Sequence, residues 1–173
     1  MAKQSDKRNK RVFLSLGSNL NDRISYLRDA VNQLESQELT IKKISNVYES
    51  ESWGAENLNS FYNIVVESHT LLSPLELMSF TQKIEIALGR QKKTTESYEN
   101  REIDIDILFY NNEEINLDGL IIPHKFLRNR MFVLMPFREI AEDLKLGKFE
   151  ETVNDLFFAC NDKSKVLKLR SLF

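Results

Sequence analysis

The sequence predicts an α+β fold: an antiparallel sheet with helices packed on one face and further helices added at the C-terminal end. Three observations carry this. Four stretches have strand composition, two others carry a single apolar stripe at helical spacing, and they alternate along the chain in the order βαββαβ.

Val12, Leu14 and Leu16 alternate with Phe13 and Ser15 and run into Gly17-Ser18-Asn19, a buried strand stopped by a turn. Ile24, Leu27, Ala30, Val31 and Leu34 then recur at spacings of three and four, which is one face of a helix. Leu39 to Ser50 and Phe61 to Thr70 are rich in β-branched and aromatic residues and read as two strands pairing antiparallel, joined by a loop with Trp53-Gly54. Ser73-Pro74-Leu75-Glu76 starts the second helix with a capping box and a first-turn proline. That helix buries Leu77, Ile84 and Leu88 and stops at Gly89, where a left-handed residue is needed. Ile103 to Ile107 alternates strictly with Asp104 and Asp106 and continues into Leu108-Phe109-Tyr110 as the last strand. This order is the split βαβ arrangement, a ferredoxin-like core. Beyond it, Arg130 to Asp143 predicts a helix interrupted by Pro136, and Glu151 to Cys160 a shorter one.

With 173 residues, 42% of them hydrophobic, the chain suffices for one domain and is short for two, so we expect a basic tail over 1–10 and a single domain over 11–173. No further domain is expected to be fused to it. The 24 basic and 26 acidic residues nearly cancel, which argues against a nucleic-acid or membrane-surface partner recognised by global charge. One cysteine, Cys160, and the lack of a signal-like or 18-residue apolar run point to a reducing cytoplasm.

Asp104 and Asp106 are the strongest chemical signal. Residues two apart in a strand share a face, so two carboxylates meet at one point, and a hard divalent cation such as Mg²⁺ relieves their repulsion. A solvated polar face stays open for so short a motif. Around the pair in sequence stand Arg90, Lys92, Arg101, His124, Arg128 and Arg130, each alone readable as surface charge but together suited to a triphosphate. His124 can serve a phosphate contact or a structural hydrogen bond. No P-loop is present, and two histidines with one cysteine make no zinc site.

The landmarks, taken in order, are Leu16-Gly17-Ser18-Asn19-Leu20, Phe61-Tyr62-Asn63, Gln82-Lys83-Ile84-Glu85 to Gly89-Arg90, Arg101 to Leu108, and Pro123-His124 followed by Asn129-Arg130 and Phe132. Over roughly Val12 to Leu144 the chain resembles the 6-hydroxymethyl-7,8-dihydropterin pyrophosphokinases. The resemblance implies diphosphate transfer from ATP to the pterin hydroxyl, with two Mg²⁺ held by Asp104 and Asp106 and no protein nucleophile. It implies catalytic roles for Arg90, Lys92 and Arg101. It places Gln82, Glu85, Arg90, Lys92, Arg101, Ile107, His124 and Arg130 around ATP, and Ser50, Trp53, Phe61, Asn63 and Phe132 around the pterin. No obligate protein partner is expected. Departures fall in the arm before the acidic strand, where Arg90-Gln91-Lys92 and Tyr98-Glu99-Asn100 stand in place of an Arg-x-Arg and a Trp-Gly-Pro. The polar stretch Gln91 to Asn100 reads as a lid over the nucleotide. Two further readings are a Mg-ATP transferase for another flat acceptor, separable by pterin competition, and a catalytically silent nucleotide-binding relative.

Overall fold

The computed structural model describes residues 9–52, 58–90, 99–147 and 150–173. Its elements are β1 (Lys10–Ser18), α1 (Arg23–Leu34), β2 (Leu39–Ile44), β3 (Tyr48–Ser50), β4 (Phe61–Thr70), α2 (Pro74–Ala87), β5 (Asp104–Tyr110), β6 (Ile115–Leu117), β7 (Leu120–Ile122), α3 (Met131–Ala141), α4 (Val153–Ala159) and β8 (Val166–Lys168). The main sheet runs β5-β1-β4-β3-β8, with β2 also paired to β4, and every pairing is antiparallel. The predicted βαββαβ core is therefore present. No helix among the described residues is long and apolar enough to cross a membrane.

The predicted strand from Leu39 to Ser50 is split at Ser45-Asn46-Val47. Ser45 keeps the ladder satisfied across the break, its N–H donating to Val65 O at 2.9 Å and its hydroxyl accepting from Val65 N at 3.0 Å. Lys10 already belongs to β1, opposite Thr70, so the predicted tail over 1–10 overlaps the sheet at its end.

The two core helices α1 and α2 share one face of the sheet, as expected, and the C-terminal helices α3 and α4 cover the other. Val12, Leu14 and Leu16 of β1 pack with Leu27 and Leu34 of α1 and Leu77 and Ile84 of α2. On the opposite face Phe13, Val65, Leu108 and Phe109 pack with Val133, Leu134 and Phe137 of α3 and Val153 and Leu156 of α4. A bulge makes this possible at β5: Phe13 pairs Phe109 while Leu14 pairs Ile107, so Leu108 is the extra residue and shares a face with Phe109. Pro136 does not interrupt α3, which runs through it from Met131 to Ala141. The missing donor falls opposite the carbonyl of Phe132, in the helix's first turn, and burial of the residues around it against the sheet holds the helix together.

The start and stop of α2 are as expected. Ser73 accepts from Glu76 N–H, Glu76 accepts from Ser73 N–H, and Gly89 has φ +102°.

Candidate active site

Ile105 and Ile107 of strand β5, with Ile103 just before it, are buried in the core shared with α1 and α2, and Asp104 and Asp106 turn to the opposite face. There they sit beside Gly17 and Ser15 of β1, and Gly17 in turn sits opposite Asn63 of β4. Among the described residues, four cationic or basic side chains from separate segments reach the pair. Arg90 lies 2.8 Å and Arg101 3.1 Å from the two oxygens of Asp104, and Arg130 lies 3.5 Å and His124 Nε2 3.7 Å from Asp106 Oδ2. Arg90 also pairs with Glu85 of α2, whose carboxylate accepts the backbone N–H of Ile105 at 2.7 Å. Glu85 therefore locks α2 to the acid-bearing strand.

Two cavities meet at the acids. One is a narrow slot of about 70 Å³, walled by Phe61 on β4 and Phe132 on α3, with Ser50, Asn63, Arg101 and Arg130 along it. Asn63 is 2% exposed and donates through Nδ2 to Ser50 Oγ at 2.9 Å, which leaves its amide fixed in orientation. The other is a broad polar cleft of about 630 Å³, lined by Gln82, Glu85, Arg90, Ile107 and His124 and roofed by the β6–β7 hairpin. Asp104 and Asp106 line both. Trp53, Lys92 and all of the predicted lid except Glu99 and Asn100 lie outside the described residues.

The electrostatics follow from crowding. Burial, and then the charge of Asp104, push the Asp106 carboxyl above its ordinary range against the opposing pull of Arg130. Burial likewise raises Glu85 to about 7, with Arg90 pulling the other way. Burial, followed by the charges of Arg130 and Lys125, lowers His124 to about 4, so its ring is neutral at pH 7. Its Nδ1 accepts from Phe126 N–H at 3.2 Å, which leaves the ring proton on Nε2, the nitrogen facing Asp106. Two carboxylates crowded onto one strand face suit a divalent cation. Among the described residues no third His, Cys, Asp or Glu joins them in a metal-holding group, so further ligands would be phosphate oxygens and water, as Mg²⁺ prefers.

Three features of the site were not read from sequence. The β6–β7 hairpin turns at Asp118-Gly119 between Ile115-Asn116-Leu117 and Leu120-Ile121-Ile122, and Asp-Gly between two strand-like runs is a hairpin signal. Gly17 is needed for closeness, because a Cβ there would lie 3.1 Å from Asn63 Oδ1. Asn19, read as part of a turn and of the opening landmark, is hydrogen-bonded to Asn59, Asn100 and Arg101, and nothing local signals that.

Residues 13–142 match the family model for 7,8-dihydro-6-hydroxymethylpterin-pyrophosphokinase (HPPK). This chain belongs to the HPPK family. The HPPK chain is 46% identical over 133 residues to the 2-amino-4-hydroxy-6-hydroxymethyldihydropteridine pyrophosphokinase of Aquifex aeolicus, covering 77% of this chain and 81% of that one. It is 40% identical over 135 residues to the Bacillus subtilis protein of the same name, covering 78% and 80%. It is also 39% identical over 163 residues to the bifunctional protein FolKE of Lactococcus lactis subsp. cremoris, covering 88% of this chain but only 46% of that protein. The chain thus spans about half the length of that bifunctional relative. Among solved structures, Plasmodium falciparum HPPK-DHPS wild type with STZ-DHP superposes with a TM-score of 0.69 at 17% identity, covering 87% of this HPPK chain and 43% of that one. That likeness bears on the fold, which is the ferredoxin-like α+β core.

Proposed function

We propose that this chain transfers diphosphate from ATP to the hydroxymethyl group of 6-hydroxymethyl-7,8-dihydropterin, releasing AMP and the pterin diphosphate, a step of folate biosynthesis. The observation that carries the reading is the meeting of a narrow aromatic slot and a broad polar cleft at one pair of carboxylates. A flat heteroaromatic fits between Phe61 and Phe132 with its polar edge on Asn63 and Ser50, and a nucleotide fits the cleft with its phosphates toward Arg90, Arg101, Arg130 and His124. The family uses ATP as co-substrate. Trp53 and Lys92 join these sets, as pterin and ATP contacts, on the strength of the resemblance.

Asp104 and Asp106 are assigned to two Mg²⁺ ions, which when bound would neutralise charge on the phosphate oxygens. The protein's own part is positioning. The slot aims the acceptor hydroxyl at the acids, the arginines compensate charge that builds on the bridging and terminal oxygens, and neutral His124 donates through Nε2. No side chain forms a covalent bond to the transferred group. The activity is assigned to a single domain over 11–173, working in the cytoplasm on small molecules without nucleic acid, membrane or an obligate protein partner.

The deciding experiment measures AMP release from ATP and Mg²⁺ with and without the pterin, followed by mass analysis. Pterin-dependent AMP and a pterin gaining two phosphates are expected. ADP as the product, or no turnover, would overturn the reading.

A further inference from the structure

The family match ends at residue 142, yet the chain beyond it pairs with the strand that leads into the slot. Strand β8 pairs with β3 in the register Ser50↔Val166, Glu49↔Leu167, Tyr48↔Lys168. The pairing continues past both strands, Val47 N–H donating to Arg170 O and Leu169 N–H to Val47 O, each at 2.8 Å. Leu172 then anchors the segment in the core at 1% exposure, its carbonyl accepting from Arg28 Nε on α1 at 2.8 Å. Without this segment the three-residue β3 would be a bare edge, held through β4 alone. Ser50 ends β3, and Glu51 and Ser52 continue it along the slot.

A second tie joins the same strand to the facing wall. Glu139 of α3 accepts from Asn46 N–H at 3.1 Å, from Asn46 Nδ2, from the Tyr48 hydroxyl at 2.9 Å and from Lys168 Nζ at 3.1 Å. It lies about two turns along α3 from Phe132. One carboxylate therefore connects the helix presenting Phe132, the strand ending at Ser50 and the C-terminal strand. None of Asn46, Tyr48, Ser50 or Phe132 lines the polar cleft.

We propose that the segment from Val166 to Leu172, pinned to α3 through Glu139, is a brace that sets the width of the aromatic slot, with Glu139 a positioning residue for the flat heteroaromatic acceptor. The proposal rests on reading the slot as the acceptor site. Because the brace bears on the slot and not on the cleft, loosening it alters acceptor binding and spares the nucleotide.

The test uses the full chain as wild type, Glu139→Gln and Leu172→Ala. Binding of the hydroxymethylpterin and of a non-hydrolysable ATP analogue with Mg²⁺ is titrated separately, and amide exchange is followed at Tyr48 to Ser50. Acceptor affinity is expected to fall about tenfold or more, with nucleotide affinity within about twofold and faster exchange in β3. A parallel fall in both affinities, or unchanged acceptor binding despite faster β3 exchange, would overturn the brace. If neither variant folds, Lys168→Ala, which removes one half-exposed donor, carries the same comparison. Wild-type protein that binds nucleotide but no pterin would overturn the proposed function itself, and the brace with it.

Discussion

Asn19 and Arg101, 82 positions apart, exchange two hydrogen bonds: Arg101 N–H donates to Asn19 Oδ1 at 2.7 Å and Asn19 N–H to Arg101 O at 3.2 Å. The same amide donates through Nδ2 to Asn100 Oδ1 at 2.7 Å and to Asn59 O at 3.2 Å. One side chain, 1% exposed, thus ties the end of β1 to the approach to β4 and to the residue that grips Asp104. Asn19→Ala is expected to lower kcat by about 10- to 100-fold with the circular dichroism spectrum unchanged, because Arg101 loses its fixed backbone. Asn19→Asp keeps the acceptor but turns a carboxylate toward two oxygens, and should lose as much. Steady-state kinetics decide it: activity of the Ala variant within about twofold of wild type would show that Arg101 is held by other means.

Asp104→Ala and Asp106→Ala are each expected to lower kcat by about 10³-fold or more while the protein stays folded. The buried isoleucines on the other face of β5, not the acids, hold the strand in the core. Chelating the divalent cation from wild type should abolish turnover in the same way. Near-normal rates in both variants would remove the metal assignment.

Phe61 and Phe132 are half-buried rings on the slot, unlike the fully buried Phe13 and Phe137 of the core. Replacing either by Ala should raise the acceptor KM by about tenfold and leave the ATP KM within about twofold. Gly17→Ala should act in the same direction, since its Cβ would press on Asn63 Oδ1. Equal changes in both KM values would show that the rings serve packing alone.

Burial by itself would raise the Glu139 carboxyl, but hydrogen bonds from Asn46, Tyr48 and Lys168 outweigh it and hold the group below its ordinary 4.5. A depressed acid contributes stability above its unfolded value, and the contribution disappears as pH falls through the folded value. Glu139→Gln should therefore melt at a lower temperature than wild type near pH 7, with the two melting temperatures converging as pH drops below the ordinary value. Thermal melts across that range check it. A gap that persists in acid would place the loss in packing rather than charge.

The βαββαβ order of the core, the capped start and glycine stop of α2 and the paired acids of β5 were determined by the sequence alone. Each depends on spacing within one element, where 3.6- and 2-residue periods decide what shares a face. Only the tertiary structure decided that helices cover both faces, that Leu108 is a bulge, that the strand from Leu39 is split at Ser45, and that β8 closes the edge of β3. It also decided which charges meet, bringing Arg90, Arg101, His124 and Arg130 onto two carboxylates and Glu139 onto Lys168. These depend on how distant segments pack, and no local periodicity encodes the distance between them.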